Sequence, residues 1–250
     1  MRMGSAGMGW GILRSLVIYL RPGRQKGLRR LYAPFVHPGD LVFDIGAHVG
    51  DRSRAFLRLG ARVIAVEPQP QLRPWLERTL RGDPRAQILP QAVGAEVGRA
   101  QLAISRRNPT VSSLSESWRT RLPEVHPGFR GVRWEEQVEV EVTTLDVLIA
   151  QFGVPAFCKI DVEGYEGEVL KGLSYPIPAL SFEFIAGGLD LAADCIERLE
   201  AIGPYEFNAI PGEQRRFYHP SWISGAEMRS WLLFGAERLS SGDLYARRIG

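Results

Sequence analysis

A doubly wound α/β domain is what this sequence predicts. Apolar, strand-like runs alternate with helical segments from residue 38 onward. The early runs are continuous rather than polar at every second position, as a sheet covered on both faces requires. The first of them, Leu41-Val42-Phe43-Asp44-Ile45, runs into Gly46-Ala47-His48-Val49-Gly50. Such a glycine turn carries a strand sharply into a helix and leaves backbone N–H groups open to a ligand.

The elements follow in order. Pro38-Gly39-Asp40 is a turn feeding the first strand, 41–45. A helix over 51–59, a strand over 62–66, a helix over 70–81 and a strand over 86–90 come next. Residues 100–104 read as a strand, and 138–143, alternating Val and Glu, as a half-exposed one. Thr143-Thr144-Leu145-Asp146 reads as a capping box opening a helix to about Gln151. Strand 156–160, a helix near 166–171, strand 179–185, helix 189–201 and strand 205–210 complete the alternation. A last strand over 243–249 suits antiparallel insertion. Two long irregular stretches remain, 105–137 and 211–223. Loops longer than about 12–15 residues in a compact domain are commonly lids or binding loops. Both stretches mix arginines with aromatics, which suits a polar ring compound or an acidic group, with surface decoration as the competing reading.

With 250 residues and 45% hydrophobic content the chain can bury one substantial core. Cys158 and Cys195 have neither disulfide-framework nor metal-ligand spacing, so buried thiols in a reducing cytoplasm are expected. The formal charge of +3 includes only three lysines, and the arginines are scattered among acids. The exception is residues 21–30, a basic face that suits solvent, phosphate or anionic lipid. Residues 10–20 are apolar but too short to cross a bilayer, which takes about 20 residues. They predict an amphipathic first helix, with peripheral membrane contact as the lesser possibility.

The turn is followed by Ala61-Arg62-Val63-Ile64-Ala65-Val66 and an acid, Glu67. A glycine turn followed about 20 residues later by an acid at a strand end is the spacing of an adenosine site, where the carboxylate takes both ribose hydroxyls. A dinucleotide fingerprint wants Gly-x-Gly-x-x-Gly, but here Asp44 precedes Gly46 and the next glycine is Gly50. A carboxylate at that strand end suits the cationic amino-acid tail of S-adenosylmethionine and repels a pyrophosphate.

Further segments carry a resemblance. Residues 38–51, Ala65-Val66-Glu67-Pro68, Gln91-Ala92-Val93-Gly94, Thr144-Leu145-Asp146 and Lys159-Ile160-Asp161-Val162-Glu163-Gly164-Tyr165-Glu166, in this order, resemble the FkbM family of S-adenosylmethionine-dependent methyltransferases. The resemblance covers roughly 38–185. It implies the class I methyltransferase (Rossmann-like) fold: a seven-stranded, mostly parallel sheet with helices on both faces and an antiparallel last strand. It divides the chain into an N-terminal helical extension, 1–37, and a methyltransferase domain, 38–250, with lid or substrate insertions at 105–137 and 211–242. It also implies that Asp44, Gly46, Ala47, His48 and Gly50 line the methionine side of the cofactor. Glu67 then holds the ribose, with Pro68 beside the adenine and Ala92 and Val93 as the opposite wall. His48 is equally a turn residue that positions backbone.

Methyl transfer to a hydroxyl needs alignment and a base. Asp161 and Glu163, two apart at a strand end, share a side if the extended geometry continues, and Asp161 also belongs with the cofactor. Their competing reading is capping of the next helix. Glu183, an acid inside an apolar strand, is a third candidate, with pairing to an arginine as its alternative. Lys159 is expected to pair with one of these acids. His37, His126 and His219 are read as loop histidines, and no metal is expected.

The expected activity is O-methylation of a small-molecule hydroxyl, on a sugar or other natural product, with no nucleic-acid partner. The rivals are an NAD-dependent oxidoreductase and a non-catalytic cofactor- or nucleic-acid-binding module.

Overall fold

Residues 23–125 and 129–250 are described by a computed structural model. The expected helix over 10–20 and His126 lie outside the described residues. Strand β1 (Leu41–Ile45) lies between β2 (Arg62–Val66) and β7 (Phe157–Ile160), both parallel to it. β3 (Ala86–Leu89) extends the sheet beyond β2, and β8 (Ala179–Ile185) beyond β7, again in parallel. β11 (Ser241–Arg248) inserts antiparallel between β8 and β9 (Tyr205–Pro211). The order β3-β2-β1-β7-β8-β11-β9 is the expected seven-stranded sheet, with a two-residue strand, β10 (Ile223–Ser224), added outside β9.

Alternation within the strands feeds two apolar layers. In β1, Leu41 and Phe43 join one core, while Val42 joins the other. In β7, Phe157 and Cys158 divide in the same way. Helices α1 (Arg24–Tyr32), α2 (Asp51–Arg58) and α3 (Arg73–Leu80) cover one face. Helices α5 (Leu145–Phe152), α6 (Glu166–Lys171), α7 (Leu189–Ile202) and α8 (Gly225–Leu233) cover the other. Phe157 anchors the first layer, packing against Tyr32, Phe35, Phe56 and Tyr245. Truncating such a buried ring to Ala costs about 3–5 kcal/mol.

Several expectations are corrected. The stretch 105–137 is not irregular throughout: it holds a 3-10 turn (Pro109–Val111) and α4 (Glu116–Val125). Trp118 and Leu122 of that helix bury against Val111, Phe129 and Trp134, a small core too short in sequence to give a clear period. The stretch 211–223 is irregular up to Ile223, where β10 begins, and α8 follows it, opened by a capping box between Ser224 and Glu227. The supposed box at 143–146 is a single cap. Thr144 Oγ1 accepts from Val147 N (3.1 Å), while Asp146 turns away to Ser174. A second sheet, β4 (Ala92–Val93), β6 (Glu136–Thr143) and β5 (Gly98–Ile104), was not foreseen as a unit. Nor is the basic stretch wholly solvated. Arg24, 7% exposed, binds Asp51 at 2.5 Å and Glu213 at 2.8 Å, and so ties α1 to the start of α2 and to the segment after β9. Among the described residues no helix is long and apolar enough to cross a membrane.

Candidate active site

The strand order reverses direction at β1, and ligands of open α/β sheets sit at the carboxyl ends of the strands at such a point. A cleft lies there, walled by residues at the ends of β1, β2 and β7, by β4 and by Glu183 of β8. It brings together Asp44, Gly46, Ala47, His48, Glu67, Pro68, Ala92, Val93, Asp161, Glu163 and Glu183. Gly50 is the exception. It starts α2 at φ 84° and faces α3, where a Cβ would meet Leu76 and Thr79.

The turn after β1 is tight because it must be. Gly46 has φ 78°, and a Cβ there would lie 1.8 Å from the carbonyl oxygen of Asp161. His48 is left-handed too (φ 52°), which aims its N–H at Glu67. Glu67 Oε2 accepts from His48 N at 2.9 Å, and Oε1 accepts from Gln69 N at 2.8 Å. Burial raises Glu67 to about 7 despite these bonds. Asp44 is buried and accepts from the Ser53 hydroxyl of α2, and burial raises it to about 6. Asp44 thus ties the end of β1 to α2 through a side-chain bond while lining the cleft. Burial lowers His48 to about 4, so the imidazole is neutral at pH 7.

At the far end of the cleft the acids divide into two kinds. Lys159, fully buried, lies 3.4 Å from Asp161 and 2.7 Å from Asp243, and Arg52 stands 4.0 Å from Asp161. Burial alone would raise Asp161, but Lys159 and Arg52 hold it below the usual carboxylate range. Glu163 and Glu183 have no such partner. Among the described residues no lysine or arginine lies within 4.0 Å of either, and burial together with the neighbouring acids pushes both well up. Carboxylate oxygens of Asp161, Glu163 and Glu183 all lie within 4.8 Å of one another. That spacing is open to a shared proton or a cation, and Lys159 already brings one positive charge to its edge.

The extended geometry expected through Glu163 does not continue. β7 ends at Ile160, and Glu163 (φ 54°) and Gly164 (φ 82°) form a left-handed turn that returns the carboxylate toward β8. Neither acid caps α6, whose first residue is preceded by Tyr165 without a side-chain cap. It is Glu166 that accepts from Val162 N (3.1 Å), and burial raises it to about 7. Sequence reasoning missed Arg52, Asp243, Glu213 and Ser113 in the cleft wall. Asp243 opens the expected last strand, which in the structure starts two residues earlier at Ser241 and so carries the acid inside it. His37 pairs with Asp40 at the surface, and His219 packs against Tyr218 and Trp231 away from the cleft.

A second cleft shares Leu114, Tyr165 and Glu183 with the first and runs between α4, α6 and α7. Its wall includes Trp118, Glu116, Glu166 and Asp194. Its two basic residues already have partners: Lys171 pairs with Glu168 of the same wall (2.6 Å), and Arg198 with the carbonyls of Leu170 (3.1 Å) and Leu173 (2.6 Å).

The cleft fits a cationic nucleoside donor. Gly46 leaves open backbone where any side chain would collide, Glu67 is fixed at the end of β2, and the wall carries more acids than bases. The sheet order is that of a class I methyltransferase, and the cofactor is S-adenosylmethionine. A family model, the methyltransferase FkbM domain, matches residues 44–233, and the chain belongs to that family. No curated protein is matched by the sequence. Among solved structures, a TehB-like SAM-dependent methyltransferase from Corynebacterium glutamicum is similar at 12% identity and TM-score 0.49, covering 95% of each chain. The precorrin-6y C5,15-methyltransferase of Geobacter metallireducens has 12% identity and TM-score 0.47, covering 90% of this chain and 86% of its own. Fibrillarin of Aeropyrum pernix, solved with S-adenosyl-L-methionine bound, has 11% identity and TM-score 0.45, covering 85% and 68%. Family membership rests on the matched domain and not on these distant likenesses.

Proposed function

We propose that this protein O-methylates a hydroxyl of an uncharged or amine-bearing small molecule, a sugar or other natural product, using the Glu163–Glu183 pair as its base. The observation that carries the reading is that pair: one carboxylate in the turn after β7 and one on β8, close together, raised, and with no lysine or arginine within 4.0 Å among the described residues. In the donor half, Glu67 takes the ribose hydroxyls on lone pairs left by its two backbone bonds. Asp44 faces the ammonium, Pro68 lies by the adenine, and Ala92 and Val93 form the opposite wall. Gly46, Ala47 and His48 supply the turn.

The bound cofactor supplies an activated methyl on a sulfonium centre. The chain's own residues align the acceptor and handle its proton. A coupled pair of acids titrates as a unit. Burial and the like charge of the neighbouring acids make an ionised carboxylate of this pair a stronger base than an isolated one. It accepts the hydroxyl proton as the O–CH3 bond forms, and later releases it to water. Asp161, kept ionised by Lys159 and Arg52, fixes the charge beside the pair, so the reading requires no metal. The second cleft offers room for the rest of the acceptor, and the acids along both clefts oppose a phosphate backbone. Cys158 and Cys195 are free and buried, which suits a reducing cytoplasm.

The test is a methyl-transfer screen with isotopically labelled cofactor against neutral, amine-bearing and acidic hydroxyl compounds and RNA, read by mass spectrometry. Labelled ether products that are lost in Glu183→Gln, at unchanged cofactor affinity, support the reading. The expected loss in turnover is about 100-fold or more. Transfer to RNA alone, or full activity in both Glu163→Gln and Glu183→Gln, overturns it.

A further inference from the structure

The base resides in a turn that does not hold itself. Glu163 is a non-glycine residue at φ 54°, followed by Gly164 at φ 82°. Left-handed non-glycine residues persist where the surroundings over-determine them. Here the surroundings belong to the insertion between β5 and β6.

Ser113, 1% exposed, donates its hydroxyl hydrogen to the carbonyl oxygen of Glu163 at 2.7 Å. The same hydroxyl accepts from Ser115 N at 3.0 Å, which fixes its rotation. Ser113 is itself held to β5 by two backbone bonds with Ala103, Ala103 N to Ser113 O at 3.1 Å and Ser113 N to Ala103 O at 3.0 Å. From the other side, the Trp118 ring closes over Gly164, where an added Cβ would come within 2.0 Å of ring carbon Cδ1. Trp118 is packed edge-on against Phe129 and Trp134, and Trp134 Nε1 donates to Val111 O at 2.8 Å. The insertion is thus fastened to the second sheet, and grips the Glu163–Gly164 turn at a hydrogen bond and at a ring.

We propose that Ser113 is a positioning residue that, with Trp118, sets the Glu163 carboxylate against Glu183. The proposal rests on the reading of that pair as the base. Without the hydroxyl the Glu163 carbonyl loses its donor, the turn relaxes, and Glu163 moves away from its acidic neighbours. The groups that face it are Glu183 on β8, Lys159 on β7, Asp161 just after β7, and Glu166 on α6, with Asp243 on β11 acting on Glu183. Glu163 then titrates lower, because burial and like charge both diminish.

The experiment is an NMR titration of the full chain carrying 13C-labelled glutamate carboxyls, with Glu163→Gln and Glu183→Gln assigning the pair. In Ser113→Ala the Glu163 midpoint is expected to fall by about one pH unit or more. Ser113→Thr, which keeps a hydroxyl, is expected to restore it. Gly164→Ala, which collides with Trp118, disturbs the turn from the other side and is expected to lower the same midpoint. It serves as the second probe should Ser113→Ala fail to fold. A role confined to stability lowers the melting temperature and leaves the midpoint in place, and that result overturns the proposal. S-adenosylhomocysteine binding by calorimetry separates the two readings. No binding by the wild type refutes the cofactor assignment, whereas intact binding with an unmoved Glu163 midpoint refutes the positioning role alone.

Discussion

Lys159 and Asp243 stand 84 residues apart in the chain and 2.7 Å apart in the fold. The pair crosses β8 to join β7 to the antiparallel last strand, and Asp161 lies 3.4 Å from the same ammonium. One buried cation therefore stands between two acids beneath the cleft, and it helps hold Asp161 below the usual carboxylate range. Burial would lower Lys159, but Asp161 and Asp243 more than offset it and keep the ammonium charged.

Lys159→Met is expected to destabilise the protein by about 3–5 kcal/mol, since removing one partner strands buried charge. Adding Asp243→Asn should recover part of the loss. Urea unfolding of the two single variants and the double variant measures the coupling; strict additivity would show that the pair does not interact.

Glu67→Ala should weaken S-adenosylmethionine binding about 10- to 100-fold, the loss of hydrogen bonds to a charged acceptor. Glu67→Gln should be no better, because its amide NH2 group confronts the N–H of His48 or Gln69 where an oxygen now accepts. Calorimetric titration checks both, and wild-type affinity in either would remove Glu67 from the ribose site.

The two turn glycines should differ. Gly46→Ala places a Cβ on the Asp161 carbonyl and is expected to abolish cofactor binding and lower stability by about 3 kcal/mol or more. Gly50→Ala is strained as well, but the neighbour it meets is the flexible end of Leu76, and the residue does not line the cleft. A loss of about 1–2 kcal/mol with cofactor binding retained is expected there. Melting curves with and without cofactor distinguish the cases.

Stability of the cofactor-free protein should fall as pH rises from about 4 to about 7. Asp44, raised to about 6, and Glu67 and Glu166, each raised to about 7, bind protons more tightly folded than unfolded. Each contributes favourably below its unfolded pKa and loses that contribution as pH rises through the folded value. Glu67 alone, moved from 4.5 to about 7, accounts for on the order of 3 kcal/mol. His48, lowered from 6.5 to about 4, acts in the opposite sense over the same interval and offsets part of the fall, while Asp161, depressed, opposes it only at lower pH. Urea midpoints at several pH values check the slope, and Glu166→Gln should flatten it. A wild-type stability that climbs across this interval would contradict the assignment.

Acceptors should be sorted by charge. Of two otherwise matched hydroxyl compounds, one bearing an amine and one a carboxylate, the amine should show a kcat/KM at least about 10-fold higher at low salt. The gap should narrow as ionic strength rises. Equal kcat/KM values would mean that Glu163, Glu183 and the second cleft do not face the acceptor.

Much of the donor half was legible in the chain. Asp44, Gly46 and Glu67 sit at strand ends, where apolar runs stop and turn chemistry begins, and local pattern marks such places well. The acceptor half was less so. Asp161 and Glu163 were legible as acids after a strand, but not the left-handed turn that draws them together, because nothing in the spacing reveals that Ser113 and Trp118 hold it. The helix over Glu116–Val125 was missed because its apolar side faces a few aromatic residues of its own insertion rather than the main core.

What the sequence by itself determined is the alternation of strands and helices, the position of the switch-point turn and the identity of the acids at the strand ends. These depend on periodicity and on residues within a few positions of each other. What only the tertiary structure decided is how those acids are charged. Lys159 meets Asp243 because β11 inserts antiparallel beside β8, and Arg52 meets Asp161 because α2 starts over the end of β7. Glu163 and Glu183 remain without a cation because none is brought to them among the described residues. The protonation of a buried carboxylate is set by neighbours in space, and sheet order chooses those neighbours from distant parts of the chain.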